Sequence, residues 1–209
     1  MKRRIGVLLT GCGAYDGTDP QEAVLAMLEI QAAGHELVPL AMDVPQFHTV
    51  DHTTAQEIEG ESRRQMLEAA RLVRGKLYLL EEISPNLLDA LIIPGGQGPV
   101  KNLLTGFATL EERSAVEAVG SFLAAVHDSG GLIGAISLAE FVVSSVLGPW
   151  PEGKGCFDLL EDEVLVDAQR GIYLTPGYTL ATSLPHLHTG IHNLCQAIFQ
   201  DLEKRDVSR

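Results

Sequence analysis

Short apolar segments alternate with longer amphipathic segments along this chain, and this alternation restricts the fold more than any other feature of the sequence. The short segments have the length of buried strands, whereas the longer ones repeat their apolar residues with the period of an α-helix. Alternating strands and helices form a mostly parallel sheet covered by helices on both faces. The predicted strands are 4–10, 36–42, 76–80, 88–94, a short segment ending before 137, and a hairpin of 164–167 and 171–175; the predicted helices are about 22–33, 61–74, 110–127, 138–147 and 184–203. Residues 43–60 show no clear period and are predicted to form a long loop.

Size and charge exclude several functional classes. With 209 residues, 45% of them hydrophobic, the chain suits one domain over residues 1–209. The 28 acidic residues outnumber the 15 basic ones, and the formal charge of −13 repels nucleic acid and anionic lipid surfaces. The first apolar run is too short for a signal peptide, and no run reaches the roughly 20 residues of a membrane span. We therefore expect a cytoplasmic protein that binds neither nucleic acid nor membrane.

Three loops follow predicted strands at one edge of the sheet, where open parallel sheets bind their ligands. Two of these loops are glycine-rich, at residues 10–17 and 94–98, and the third is the turn at Ser137. Glycine lets backbone N–H groups come close to a ligand, as they do in an oxyanion hole. Neither glycine loop has the spacing of a phosphate-binding or dinucleotide-binding loop, so we expect no nucleotide and no cofactor.

Ser137 lies between a short apolar strand and a helix. At such an elbow the side chain projects from the carboxyl edge of the sheet, beside the free N–H groups of the following helix. This position suits a nucleophile, although the segment 134–137, Gly-Ala-Ile-Ser, differs from the Gly-x-Ser-x-Gly pattern of hydrolases. The alternative is that Ser137 only caps the helix.

The histidines offer a possible metal site that the sequence does not complete. His188 and His192 are four residues apart on the last predicted helix, with His186 just before them, so two imidazoles can share one face. No carboxylate or cysteine stands at a ligand spacing from them, and we expect no metal. The pair His48 and His52 lies in the irregular loop and is a weaker candidate. The acidic run 161–163 is interpreted as a solvated turn.

Three groups of motifs resemble one known family: Gly11-Cys12-Gly13 with Tyr15-Asp16-Gly17 and Glu22-Ala23-Val24, then Pro94-Gly95-Gly96-Gln97-Gly98 with Lys101-Asn102-Leu103, and finally Thr175-Pro176-Gly177-Tyr178. They are similar to those of the ElbB-like branch of the ThiJ/PfpI superfamily. Its members are also described as enhancing-lycopene-biosynthesis proteins, or as isoprenoid biosynthesis proteins with an amidotransferase-like domain. The resemblance covers nearly the whole chain. It implies a flavodoxin-like three-layer sandwich, shared with class I glutamine amidotransferases, and a homodimer.

The resemblance also implies a site. Family members carry a cysteine at the elbow, hydrogen-bonded to a glutamate of the first helix, and the branch is associated with weak glyoxalase activity toward glyoxal or methylglyoxal without metal or glutathione. By position, these residues correspond to Ser137 and Glu22, and the backbone donors correspond to Gly96 and Leu138. Serine departs from the pattern because a hydroxyl needs a general base, whereas a thiol ionises more readily. Leu138 stands where many relatives in the superfamily have histidine, and the region after the elbow helix is shorter than in typical members.

Three outcomes of the serine substitution remain open. Ser137 can act as a nucleophile if His186 or His188 supplies the base. Cys12, one of three cysteines expected to be free thiols together with Cys156 and Cys195, can take over the chemistry, or it can simply fit a tight bend. The third outcome is that the chain keeps the pocket without the chemistry.

The sequence therefore predicts a pocket at the elbow for a small carbonyl metabolite. The activity expected there is at most a weak, cofactor-independent glyoxalase-type lyase reaction. The alternative is a catalytically silent protein that binds or regulates a partner through its dimer surface. An amidotransferase role requires the elbow cysteine and is the weakest of the three hypotheses.

Overall fold

The computed structural model describes residues 1–106, 109 and 113–207 of the chain. Two short strands, β3 (Val50–Asp51) and β4 (Gln56–Glu57), form a separate antiparallel ribbon. The main sheet contains β1 (Arg4–Leu9), β2 (Glu36–Ala41), β5 (Tyr78–Leu79), β6 (Ala90–Ile93), β7 (Leu132–Ile136), β8 (Leu165–Asp167) and β9 (Ile172–Thr175). The helices are α1 (Pro20–Ala32), α2 (Gln65–Leu72), α3 (Gly98–Asn102), α4 (Glu117–Asp128), α5 (Glu140–Leu147) and α6 (Leu184–Val207).

The main sheet has the strand order β5-β2-β1-β6-β7-β9-β8, and every neighbouring pair is parallel except β8 with β9. β1 lies between β2 and β6, with Val7 opposite Pro39 on one side and Ile92 on the other. The chain runs outward from β1 to β5 and then returns to the far side of β1, so the strand order reverses between β1 and β6. Open parallel sheets bind ligands at such a reversal, beyond the carboxyl ends of the strands.

Helices cover both faces of the sheet, because side chains along each buried strand point alternately to the two faces. Leu8 packs into a core that contains Leu123 of α4 and Val142 of α5. Val7, the preceding residue, packs into the opposite core with Ile30 of α1, and Ile191 of α6 belongs to that core too. The expected three-layer α/β architecture is confirmed. Within the described residues, no helix is both long and apolar enough to cross a bilayer.

Several predicted boundaries were wrong, and tertiary hydrogen bonds explain where two of the predicted helices begin. The helix predicted from residue 110 begins only at Glu117, because Ala115 forms an antiparallel bridge with Leu104; residues 110–112 lie outside the described residues. The helix predicted from residue 61 begins at Gln65, whose N–H donates to the carbonyl of Val44. The predicted loop 43–60 contains the β3–β4 ribbon. The short helix α3 was not predicted, because its Gly-Pro start resembles a loop.

Candidate active site

The elbow at Ser137 connects β7 to α5 through a single left-handed residue. Ser137 has φ of 56°, a conformation that is strained for a residue other than glycine and costs about 1–3 kcal/mol. A 3-10 turn over Ser137–Ala139 follows, and α5 begins at Glu140. No side chain caps α5, and the Ser137 hydroxyl forms no hydrogen bond within the described part of the chain. The helix-capping interpretation of Ser137 is therefore wrong for this structure. The side chain is nonetheless buried, since the residue is only 3% exposed.

Two backbone N–H groups, on the loops that follow β6 and β9, hold the carboxyl group of Glu22 in place. It is the third residue of α1, whose start is fixed by Pro20 and by the Asp19 side chain, which accepts from the N–H of Glu22. The Gly95 N–H donates to Oε2 of Glu22 at 2.6 Å, and the Tyr178 N–H donates to Oε1 at 2.8 Å. Full burial raises the pKa of Glu22 to about 8, against the opposing effect of these two hydrogen bonds. The carboxyl group is therefore mostly protonated at neutral pH.

Gly95 brings Glu22 and Ser137 together because it has no side chain. A Cβ atom at Gly95 would lie 2.5 Å from Cβ of Ser137 and 2.7 Å from Oε2 of Glu22. Cβ of Ser137 and Oε2 of Glu22 therefore both lie close to the position that a side chain of residue 95 would occupy. The side chains of Ser137 and Glu22 are thus neighbours beside Gly95. Gly177 has the same role on the other side of the carboxyl group, where a Cβ atom would collide with Oε1 of Glu22.

The predicted backbone donors, Gly96 and Leu138, lie on the loops that flank this pair. Gly96 has φ of 84° and fits closely against the first glycine loop, where a Cβ atom would lie 2.7 Å from the Asp19 nitrogen. Leu138 is the residue after the elbow serine. In the described loops, neither N–H donates a hydrogen bond outside the regular elements. Their role as donors to a ligand stays a prediction.

Comparison with known proteins decides the family. No family model matches the chain. The human protein named glutamine amidotransferase-like class 1 domain-containing protein 3, mitochondrial, is 32% identical over 94% of this chain and 82% of its own length. The rat ES1 protein homolog, mitochondrial, is 30% identical over 95% of this chain and 84% of its own. The chain belongs to the class 1 glutamine amidotransferase-like (ES1) family.

Solved structures share the fold of this ES1-family chain. The isoprenoid biosynthesis protein with amidotransferase-like domain from Ehrlichia chaffeensis aligns with a TM-score of 0.86 and 26% identity, over 94% of this chain and 99% of that structure. Drosophila melanogaster DJ-1beta shares the fold, with a TM-score of 0.53 and 14% identity over 98% and 95% of the two chains. The predicted relationship to class I glutamine amidotransferase-like proteins is confirmed. The ThiJ/PfpI superfamily and its ElbB-like branch stay predictions, with which the shared fold agrees. Cysteine as the usual elbow residue, and a cytoplasmic location, stay predictions.

Cys12 is poorly suited to act as a nucleophile in this ES1-family protein. Burial is the main reason that the pKa of its thiol is raised, and the charge of Glu68 raises it further. Two N–H groups of the glycine loop donate locally: the Gly13 N–H donates to the carbonyl of Thr18 at 2.8 Å, and the Gly17 N–H donates to the carbonyl of Gly13. The thiol is thus kept protonated, the opposite of the activation that this candidate requires.

The two histidines predicted as possible bases have other partners. Nδ1 of His186 lies 3.1 Å from a Glu161 oxygen, and Nε2 of His188 lies 2.8 Å from an oxygen of Glu29. Neither imidazole bonds to Ser137. The acidic run 161–163 lies in a turn and is mostly exposed, as predicted, and Glu161 pairs with His186 there. In the irregular loop, Nε2 of His52 accepts from the Tyr15 N–H at 3.2 Å.

Glu140, just after the elbow, forms a second buried pair with Cys156, and the sequence did not predict it. Glu140 accepts from the Cys156 N–H at 2.6 Å and from its thiol at 3.3 Å. Burial raises the pKa of Glu140 and raises that of Cys156 to about 12, so the thiol is neutral at pH 7. The pair fixes the segment after α5 beside a cavity of 410 Å³, whose lining includes Glu140 and the single tryptophan, Trp150, but not Ser137. Only the fold brings these residues together, and no spacing signal marks them.

Proposed function

We propose that this protein binds a small carbonyl compound, such as glyoxal or methylglyoxal, beside Ser137 and converts it slowly as a glyoxalase-type lyase without metal or glutathione. The observation that carries the proposal is the pairing of Ser137 with a protonated Glu22 across Gly95. A neutral carboxyl group can donate its proton to a carbonyl oxygen, which makes the carbonyl carbon easier to attack. The near-complete burial of Ser137 favours a ligand of only a few heavy atoms.

The proposed reaction consumes only the substrate and one water molecule. Oγ of Ser137 forms a bond to the aldehyde carbon of methylglyoxal while Glu22 gives its proton to the carbonyl oxygen and takes up the hydroxyl proton of Ser137, which gives a hemiacetal. The hydrogen of that carbon then passes, as a proton through an enediol, to the neighbouring ketone carbon. One carbon is thereby oxidised and its neighbour reduced, leaving a lactate ester on Ser137. Water hydrolyses the ester, releasing lactate and restoring the hydroxyl.

The same geometry makes the reaction slow. A serine hydroxyl needs a base to become a good nucleophile, and Glu22 holds its own proton at neutral pH. His186 and His188 are bonded to carboxylates elsewhere. These facts also favour the second candidate, a homodimeric binding protein that holds the carbonyl ligand without turnover.

Methylglyoxal consumption, with lactate detection and without glutathione or metal, tests the proposal. The wild type should form lactate slowly, Ser137→Ala should form none, and Cys12→Ala should match the wild type. Ser137→Cys should be faster because a thiolate is the better nucleophile. Equal rates for the wild type and Ser137→Ala would refute the proposed function. An inert wild type with an active Ser137→Cys would select the silent binding protein.

A further inference from the structure

A carboxylate of α1 lies between two histidines of α6. Oε1 of Glu29 is 2.8 Å from Nε2 of His188, and Oε2 of Glu29 is 2.8 Å from Nδ1 of His192. The two histidines are four residues apart and therefore share one face of the helix. The carboxylate that the sequence spacing lacks is thus supplied by the packing of α1 against α6.

The exposure of the three side chains suits an ion that arrives from solvent. The side chains of His188 and His192 are 45% and 46% exposed, whereas that of Glu29 is only 10% exposed. The cluster therefore combines a fixed carboxylate with two imidazoles that can turn.

We propose that Glu29, His188 and His192 bind one transition-metal ion of the Zn²⁺ class. Imidazole nitrogen and carboxylate oxygen are ligands that zinc prefers, and histidines four apart on a helix bind it from one face. The fourth position faces solvent and takes water. The proposal does not rest on the proposed glyoxalase-type function, since Glu29 is seven residues, or about 10 Å of helix, from Glu22.

The structure shows these ligands in their metal-free arrangement, bonded to each other. Among the described residues, no three metal-ligating side chains already surround one point. The change that ion binding requires is small. The ring centroids of His188 and His192 are 6.1 Å apart, whereas two imidazoles on one tetrahedral zinc ion have centroids roughly 5 Å apart, given metal–nitrogen bonds of about 2.0 Å. Rotation of two half-exposed side chains closes that difference, and Glu29 needs no movement of its helix.

Zinc titration of the untagged full chain, stripped with chelator beforehand, tests the proposal. Isothermal calorimetry should show one Zn²⁺ bound per chain, and His188→Ala or His192→Ala should each weaken binding by about tenfold or more, since either change removes one of three protein ligands. His186→Ala is the matched control. This histidine lies on the same helix and its side chain is 50% exposed, but its partner, Glu161, contacts no second imidazole among the described residues. Cys12→Ser excludes binding by the partly buried thiol.

Two further readouts keep the result clear if a variant folds poorly. Zn²⁺ should raise the melting temperature of the wild type and of His186→Ala, because it ties α1 to α6, and Mg²⁺ should not, because it prefers oxygen ligands. Co²⁺ should give a visible absorption band that both His188→Ala and His192→Ala abolish. Absence of saturable Zn²⁺ binding to the wild type, or an equal loss in His186→Ala, would overturn the site.

Discussion

Replacing Glu22 by glutamine should reverse the order of stability between the two proteins as the pH rises. In the folded wild type, burial raises the pKa of Glu22 from 4.5 to about 8. Because the folded state holds this proton more tightly than the unfolded state, the group's contribution to stability is complete below about pH 4.5 and is lost as the pH rises to about 8. The difference between the two pKa values corresponds to about 5 kcal/mol, at about 1.4 kcal/mol per pKa unit.

The glutamine variant lacks this pH dependence but has a defect of its own. Both oxygens of Glu22 accept backbone N–H groups, from Gly95 and from Tyr178. A protonated carboxyl group can accept both bonds, whereas an amide presents its NH₂ group to one of the two donors. One buried N–H is then unsatisfied, which costs about 1–3 kcal/mol. Glu22→Gln should therefore be the less stable protein at about pH 5 and the more stable one above about pH 8.

Urea unfolding of both proteins, followed by the fluorescence of Trp150 and by circular dichroism from about pH 5 to about pH 9, measures this difference. The free energy of unfolding of the wild type, minus that of Glu22→Gln, should fall and change sign as the pH rises to about 8, and should level off above it. A difference that is constant with pH would show that Glu22 has an ordinary pKa. A difference that grows with pH would show an ionised, stabilising carboxylate, and would refute the account of a protonated acid.

Three further predictions concern the glycine between the pair, the strained serine and the first glycine loop. Gly95→Ala should lower the free energy of unfolding by about 1–3 kcal/mol, since its Cβ would overlap Ser137 and Glu22. Gly120→Ala is the control and should not lower it, because the nearest atom is 3.5 Å from the added Cβ. Equal melting temperatures for the two variants would contradict the packing argument. Ser137→Gly should raise the free energy of unfolding by up to about 1 kcal/mol by relieving the left-handed strain, and a clear loss in chemical denaturation would contradict it. Cys12 should be the one thiol that a disulfide reagent labels in the folded protein, because Cys156 and Cys195 are buried. Labelling should be slow at pH 7 and faster as the pH rises, because the pKa of the Cys12 thiol is raised. Rapid labelling at pH 6 would show an activated thiol instead.

The order of elements could be predicted from the sequence because hydrophobic period and glycine breaks are local signals. The hairpin of β8 and β9 formed where the turn residues predicted it, with the Gly171 N–H bonded to the carbonyl of Asp167. The start of α4 could not be predicted locally, because the bridge between Leu104 and Ala115 removes residues from a sequence that is otherwise suited to a helix.

The site was predictable in part for the same reason. The carboxyl edge of a parallel sheet collects its loops, so Glu22 and Ser137 could be expected near each other. The protonation of Glu22 depends on its full burial, which outweighs the opposing hydrogen bonds from donors 73 and 156 residues away, Gly95 and Tyr178, and such packing leaves no trace in local sequence. The contact of Glu29 with two histidines of α6 was missed because it depends on how α1 packs against α6.

The most direct test of the central claim is lactate formation from ¹³C-labelled methylglyoxal, followed by NMR for the wild type, Ser137→Ala and Glu22→Gln under one set of conditions. The account predicts a slow lactate signal in the wild type that is absent in Ser137→Ala and strongly reduced in Glu22→Gln, which cannot donate a carboxyl proton. Lactate signals of equal intensity in all three samples would contradict it.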